Sequence, residues 1–240
     1  TAQRLLGHLS QSWRGDKIDI PKIASVQTPT KPKVFFIDIP DAKQSAISVG
    51  TLTMPGDDPE LFKLTVVNNR LGGGMEARLM RTLRLEKGYT YGAGSFLRPN
   101  SFQTPFYAYS QVRSNVTLES LEIFKNIINS YPESYNNEDL ETTKNKLIKS
   151  NALRFERLGS MLNMLDTMSK FNLDDTYIQN EQEVLTSMKL DEAKRIAEAR
   201  LDGKKMYYVI AGDAKTQLNR ISKLGYGKPI MLDRDGNTIK

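Results

Sequence analysis

The sequence predicts an α+β fold, a largely antiparallel mixed sheet with helices packed on one face. Strand-like runs come in groups, separated by helical stretches instead of alternating with them one by one. The helical stretches beyond residue 117 are long and carry apolar residues at helical spacing, as a cover for one sheet face would. Finally, 240 residues with 39% hydrophobic and 26% charged content have the volume for a real core, in one large domain or two small ones.

Residues 1–33 read as a lead-in helix and linker, and 34–240 as the α+β domain. The opening is amphipathic, with Leu5, Leu6 and Leu9. Asp16-Lys17-Ile18-Asp19-Ile20-Pro21 follows, and then Thr28-Pro29-Thr30-Lys31-Pro32-Lys33, whose prolines and lysines suit an extended linker. Val34 to Ile39 is a strand rich in β-branched and aromatic residues, turned by Pro40-Asp41. Gln44 to Thr53 is a second strand, broken by Met54-Pro55-Gly56-Asp57.

A helix then starts with Asp58 as cap, Pro59 in the first helical position and Glu60 at the positive end of the dipole. Leu61, Leu64, Val67 and Leu71 form its stripe, and Gly72-Gly73-Gly74 stops it. A second helix runs from Met75 to about Leu85, with Met75, Leu79 and Leu83 on one side. Tyr89 to Phe96 and Phe106 to Arg113 are strands. Thr117 caps a helix that Pro132 ends, and Asn137 caps a long helix stopped by Gly159. Met161, Leu162, Leu165 and Met168 mark another helix, read as core. Two more helical stretches span Glu181–Met188 and Asp191–Leu201. Met206 to Ala211 is a strand, and a short helix and a last strand at Ile230 to Leu232 complete the chain.

Composition excludes several functions. With no cysteine there is no disulfide, thiol nucleophile or thiolate metal site. A catalytic zinc normally takes three protein ligands, and His8 is the single histidine, best read as a surface or packing residue near Trp13. The net charge of +6 invites a nucleic-acid reading, but acidic residues are interspersed with the basic ones and no block of five like charges occurs. No apolar run approaches the roughly 18 residues of a membrane span.

The chemistry concentrates in Leu83-Arg84-Leu85-Glu86-Lys87-Gly88-Tyr89-Thr90-Tyr91-Gly92. Arg84 lies one turn before Gly88, a natural helix terminus, and Tyr91 lies three residues into the strand beyond. Such a corner brings a permanent cation and a phenolic donor together, able to hold a peptide carbonyl or stabilise the oxyanion formed from it. The spacing equally allows an arginine favouring its helix C-terminus and a tyrosine packed on the sheet. The triple glycine is not a phosphate loop, because no strand leads into it and the Walker lysine is missing. Arg70, Arg78, Arg81 and Lys87 read as a solvated face partly balanced by Glu76 and Glu86. Asp57-Asp58 and Asp174-Asp175 read as turn or helix-start residues.

The run Asn69-Arg70-Leu71-Gly72-Gly73-Gly74-Met75, with Arg78-Leu79, Leu83-Arg84, Glu86-Lys87-Gly88 and Thr90-Tyr91-Gly92, resembles the C-terminal, zinc-free domain of pitrilysin/insulinase-type metallopeptidases, mitochondrial processing peptidase among them. That resemblance implies two similar halves around a chamber. One half carries His-x-x-Glu-His and zinc. The other supplies an arginine and a tyrosine seven positions apart, which Arg84 and Tyr91 match. This chain has no His-x-x-Glu-His, so it is expected to bind no cofactor and to be inactive alone, with zinc in a homologous partner half and an extended peptide as substrate. The partner half is upstream in the same chain or a separate subunit, and Thr1 with its lead-in favours a fragment of a longer peptidase. A non-catalytic core subunit of the same fold is the alternative. The compartment is left open, with an extracytoplasmic or periplasmic one favoured.

Overall fold

A computed structural model describes residues 2–13, 15 and 23–239; the Asp16–Pro21 stretch and the Leu5 side chain lie outside the described residues. Helix α1 (Ala2–Ser12) comes first, with Leu6, Leu9 and Trp13 exposed. The segment after residue 23 is extended, and Gln103 grips it at Val26. Its Oε1 accepts the Val26 N–H at 2.6 Å and its Nε2 donates to the Val26 carbonyl at 2.9 Å.

Six strands form one sheet: β1 (Lys33–Asp38), β2 (Gln44–Leu52), β3 (Thr90–Leu97), β4 (Pro105–Arg113), β5 (Tyr207–Gly212) and β6 (Ile230–Leu232). Their order is β3-β4-β2-β5-β1-β6. The pairs β3–β4, β4–β2 and β2–β5 are antiparallel, while β5–β1 and β1–β6 are parallel. This is the mixed, largely antiparallel sheet that the grouped strands predict.

Strand alternation divides the sheet into two faces. Val34, Phe36, Ile47, Val49, Phe106, Ala108, Tyr208 and Ile210 are buried on one of them. Their neighbours in sequence lie on the other face, where Phe96 stacks on Tyr109 with ring centroids 5.3 Å apart. The helices of the core pack on the first face.

Helix α2 (Glu60–Gly72) begins one residue later than expected, with Pro59 just before it, and Asp58 Oδ1 still accepts the Glu60 N–H at 2.8 Å. Leu61, Leu64, Val67 and Leu71 are all buried. At Gly72 the helix end touches β3, and a Cβ there would lie 2.1 Å from the Ser95 nitrogen. Beside it Asn68 Nδ2 donates to the Ser95 carbonyl at 3.2 Å, and Ser95 Oγ donates to Asn68 Oδ1 at 2.6 Å.

Several boundaries differ from the sequence reading. The helix expected from Met75 is α3 (Arg78–Met80), which widens into a π-turn over Arg81–Glu86. Met75 sits in a turn instead, because the Ala77 N–H bonds back to Gly74 O at 3.1 Å. In α4 (Thr117–Ser134) Thr117 is the first helical residue, not the cap. Its Oγ1 donates to Ser114 O at 2.7 Å, so Ser45 must donate in the 2.7 Å bond between the two hydroxyls. Pro132 lies inside α4, which runs two residues further.

Asn136, not Asn137, caps α5 (Asn137–Leu153), because a reciprocal cap needs an acceptor three residues on, and Asp139 supplies it. Gly159 does not stop α5 but lies in the first turn of α6 (Leu158–Phe171). The methionine-rich helix is not core: α6 holds no buried residue, and Leu158 is 80% exposed. Helices α7 (Tyr177–Ser187), α8 (Leu190–Arg200) and α9 (Ala214–Ile221) complete the layer. Among the described residues no helix is long and apolar enough to cross a membrane.

Candidate functional site

The corner between α3 and β3 is built by two departures from regular geometry. In the π-turn the Lys87 N–H reaches Thr82 O at 3.0 Å, five residues back, and the Tyr89 N–H reaches Leu83 O at 2.9 Å. Gly88 adopts φ +62°, a conformation that closes a helix and that a side chain opposes. Leu83 is fully buried at this corner, whereas its neighbour Arg84 is exposed.

The second departure is a β-bulge. Thr90 pairs with Val112 and Ala93 with Ser110, so three steps along β3 match two along β4. Ala93 and Ser95 are buried on the helix-covered face. Strict alternation would put Tyr91 on that same face. The bulge releases it, and Tyr91 is 88% exposed. Hydroxyls secure the irregularity: Thr90 Oγ1 accepts the Gly92 N–H at 3.0 Å, and Ser110 Oγ donates to Gly92 O at 2.9 Å.

Both sequence-predicted site residues are therefore exposed side chains flanking Gly88. They are presented to solvent separately, and among the described residues the Tyr91 hydroxyl and all the Arg84 donors but Nη1 are free for a ligand. Among the described residues no carboxylate pairs with Arg84, whose Nη1 touches only the Met75 sulfur at 3.8 Å. Its neighbour Arg81 is instead neutralised by Glu86 at 3.0 Å. An unpaired guanidinium and a phenol on rigid supports suit a carbonyl or carboxylate oxygen.

The reading of Arg70 and Arg78 as a solvated face is corrected. Arg70 Nε bonds Asp139 Oδ1 at 3.0 Å and Arg78 Nη2 bonds Asp139 Oδ2 at 2.5 Å. Arg78 also donates to Ser134 Oγ and lies over the Tyr131 ring, 4.8 Å from its centroid. Asp139 is the same carboxylate that completes the α5 cap, which fixes both arginines beneath the corner. Sequence spacing gave no sign of this, because the partner lies 69 residues from Arg70 and 61 from Arg78.

The β3 edge is partly closed. The Ser95 carbonyl is taken by Asn68 and the end of α2 abuts Gly94-Ser95, which leaves the Tyr91–Gly92 bulge open for an added strand. His8 is exposed in α1. Asp174 is a turn residue, as expected, its Oδ1 accepting the Thr176 N–H at 2.9 Å. Among the described residues no three His, Cys, Asp or Glu side chains are grouped to hold a metal. With one histidine and no cysteine, this chain's own residues do not fit a catalytic zinc.

Comparison with known proteins agrees with this architecture. The family described as "Peptidase M16 inactive domain" matches residues 1–147. The non-peptidase homolog YmxG of Helicobacter pylori is 25% identical over 159 residues, which cover 65% of this chain and 36% of that protein. The crystal structure of a peptidase M16 inactive domain from Pseudomonas fluorescens superposes with a TM-score of 0.70 at 25% identity, over 80% of this chain and 47% of that one. A protease from H. pylori has the same fold, with a TM-score of 0.76 at 14% identity over 88% of this chain and 52% of that one. The chain thus spans about half, or less, of the length of these relatives. It belongs to the M16 peptidase family, as the inactive, zinc-free C-terminal domain of a pitrilysin-like protein.

Proposed function

We propose that this domain is the substrate-contacting half of a zinc metallopeptidase whose metal is carried by a homologous partner half. One observation carries the reading. A bulge and a π-turn, both irregular and both flanking Gly88, expose the two residues that match the family's substrate contacts. Such irregularities recur where a side chain must be aimed. Arg84 and Tyr91 donate hydrogen bonds to the carbonyl of an extended peptide and to the charge that develops on it. The peptide lies along the Tyr91–Gly92 segment, a part of the β3 edge that α2 leaves open.

The test is Tyr91→Phe and Arg84→Met in the assembled two-half protein. Each is expected to lower turnover on the order of a hundredfold with zinc content unchanged. Unaltered turnover in both variants removes the assignment.

A second reading is a non-catalytic member of the same fold, favoured by the likeness to a non-peptidase homolog. It predicts no peptide hydrolysis by the assembled protein, and no loss of assembly when Arg84 and Tyr91 are changed.

A further inference from the structure

We infer that the cleft between α2 and the α6–α7 hairpin, on the helical side of the domain, is a second binding site, for a small amphipathic cation with an apolar body. The site lies outside the peptidase reading, and none of its walls includes Arg84 or Tyr91.

Four features support it. The cleft is about 740 Å³, a size that holds a small organic ligand. Its walls are mainly apolar: Leu61 and Phe62 from α2, Leu147 from α5, Val184 from α7 and Met188 just beyond it. Phe171 forms an end wall, its ring lying flat on Gly56, where a Cβ would come within 2.2 Å of it. A ligand body there would be covered by hydrocarbon and aromatic surface.

The third feature is a poorly paired polar group. Tyr177 lines the cleft and is 7% exposed, and its hydroxyl makes no well-formed hydrogen bond although the Arg154 guanidinium faces it. Arg154 gives its short bond to Glu181, at 2.6 Å. A buried hydroxyl paired so poorly favours a ligand atom that bonds it well.

The fourth feature is charge. Both cations on the walls are already committed, Arg154 to Glu181 and Lys63 to Glu192 at 2.5 Å. Asp58 serves the start of α2. Asp57 and Glu183 remain exposed on the rim, and among the described residues no cation pairs with either. Lys170 stands at the Phe171 end, its Nζ donating to the Pro99 carbonyl at 3.2 Å. The two free carboxylates still leave the rim negative on a chain whose net charge is +6, which selects a cationic head group.

A set of three probes sharing one skeleton tests this: 4-butylbenzylamine, 4-butylbenzyl alcohol and 4-butylbenzoate. Binding is followed by titration calorimetry and by the NMR signal of the Met188 methyl group, assigned by substitution. The amine is expected to bind most tightly, with saturable movement of the Met188 signal. Tyr177→Phe should weaken it about threefold to tenfold. The double change Asp57→Asn and Glu183→Gln, both on the exposed rim, should make amine and alcohol bind alike, while Arg84→Met changes nothing. Equal or tighter binding of the benzoate, an unmoved Met188 signal, or indifference to the rim variants overturns the assignment.

Discussion

Asn68 and Ser95 exchange two hydrogen bonds inside the core, amide to carbonyl and hydroxyl to amide, at 3.2 and 2.6 Å. They clamp the end of α2 to the edge strand that carries Tyr91. Asn68→Ala leaves the Ser95 groups buried and unpaired, and should lower stability by about 1–3 kcal/mol. A urea-denaturation double-mutant cycle with Ser95→Ala should show a loss smaller than the sum of the two single losses. Strict additivity would mean that the clamp carries no energy.

Gly72 and Gly74 look alike in sequence but should answer differently to alanine. At Gly72 a methyl group would strike the β3 backbone 2.1 Å away, whereas at Gly74 its nearest neighbour is the Lys146 Nζ at 3.4 Å. Gly72→Ala should cost about 1–3 kcal/mol or more, and Gly74→Ala close to nothing. Chemical denaturation of both variants gives the comparison.

Gly88 tests the corner's backbone. Its positive φ is tolerated by asparagine far better than by a β-branched residue. Gly88→Val should cost about 1–2 kcal/mol and Gly88→Asn distinctly less, read from thermal midpoints. Free space surrounds the position, so a clash cannot explain the difference.

Asp139 joins two arginines to a helix cap, and its side chain is 8% exposed. Asp139→Ala removes the reciprocal half of the cap, with the Asn136 half left in place, and leaves both guanidinium groups without their partner. It should cost about 3 kcal/mol. Because Asn can still accept at the cap, Asp139→Asn should lose less. Equal effects of the two changes in equilibrium unfolding would place the whole contribution in the ion pairs.

Acid should loosen the contact between α8 and α2. The Arg195 guanidinium, bonded to Glu60 at 2.6 Å, holds that carboxyl below its ordinary 4.5. A depressed value in the folded state means stability present above 4.5 and lost as pH falls through the folded value. The stability gap between the native protein and Arg195→Met should therefore be constant near neutrality and shrink as the solution is made acidic. Denaturation midpoints across pH measure it.

Much of the fold was legible because local rules and packing agree. Strands β1, β2, β4 and β5 fall within about a residue of their sequence limits, and Asp58-Pro59-Glu60 starts α2 as capping chemistry requires. The misses have separate physical causes. The cap of α5 moved to Asn136 because two adjacent asparagines compete and only one has a carboxylate at the reciprocal position. The role of α6 was misread because apolar periodicity reports a greasy face, not whether anything covers it. The bulge that exposes Tyr91 left no trace in the residue pattern, and alternation alone would have buried the ring. Arg84 was legible as a side chain at a helix end, but its lack of a carboxylate partner depends on Arg81 taking Glu86, a choice made in three dimensions.

Gly88 has a surplus amino acid on either side, one widening the turn before it and one puckering the strand after it. Chain length at this corner therefore sets direction. Deleting one residue from the widened turn would swing everything downstream by about 100° around the helix axis. Deleting Gly92 would straighten the strand and lay the Tyr91 ring onto the aromatic side of the sheet, beside Gly94 and towards Tyr109. Both products could keep the Arg84 guanidinium and the Tyr91 phenol, and would aim one or the other elsewhere.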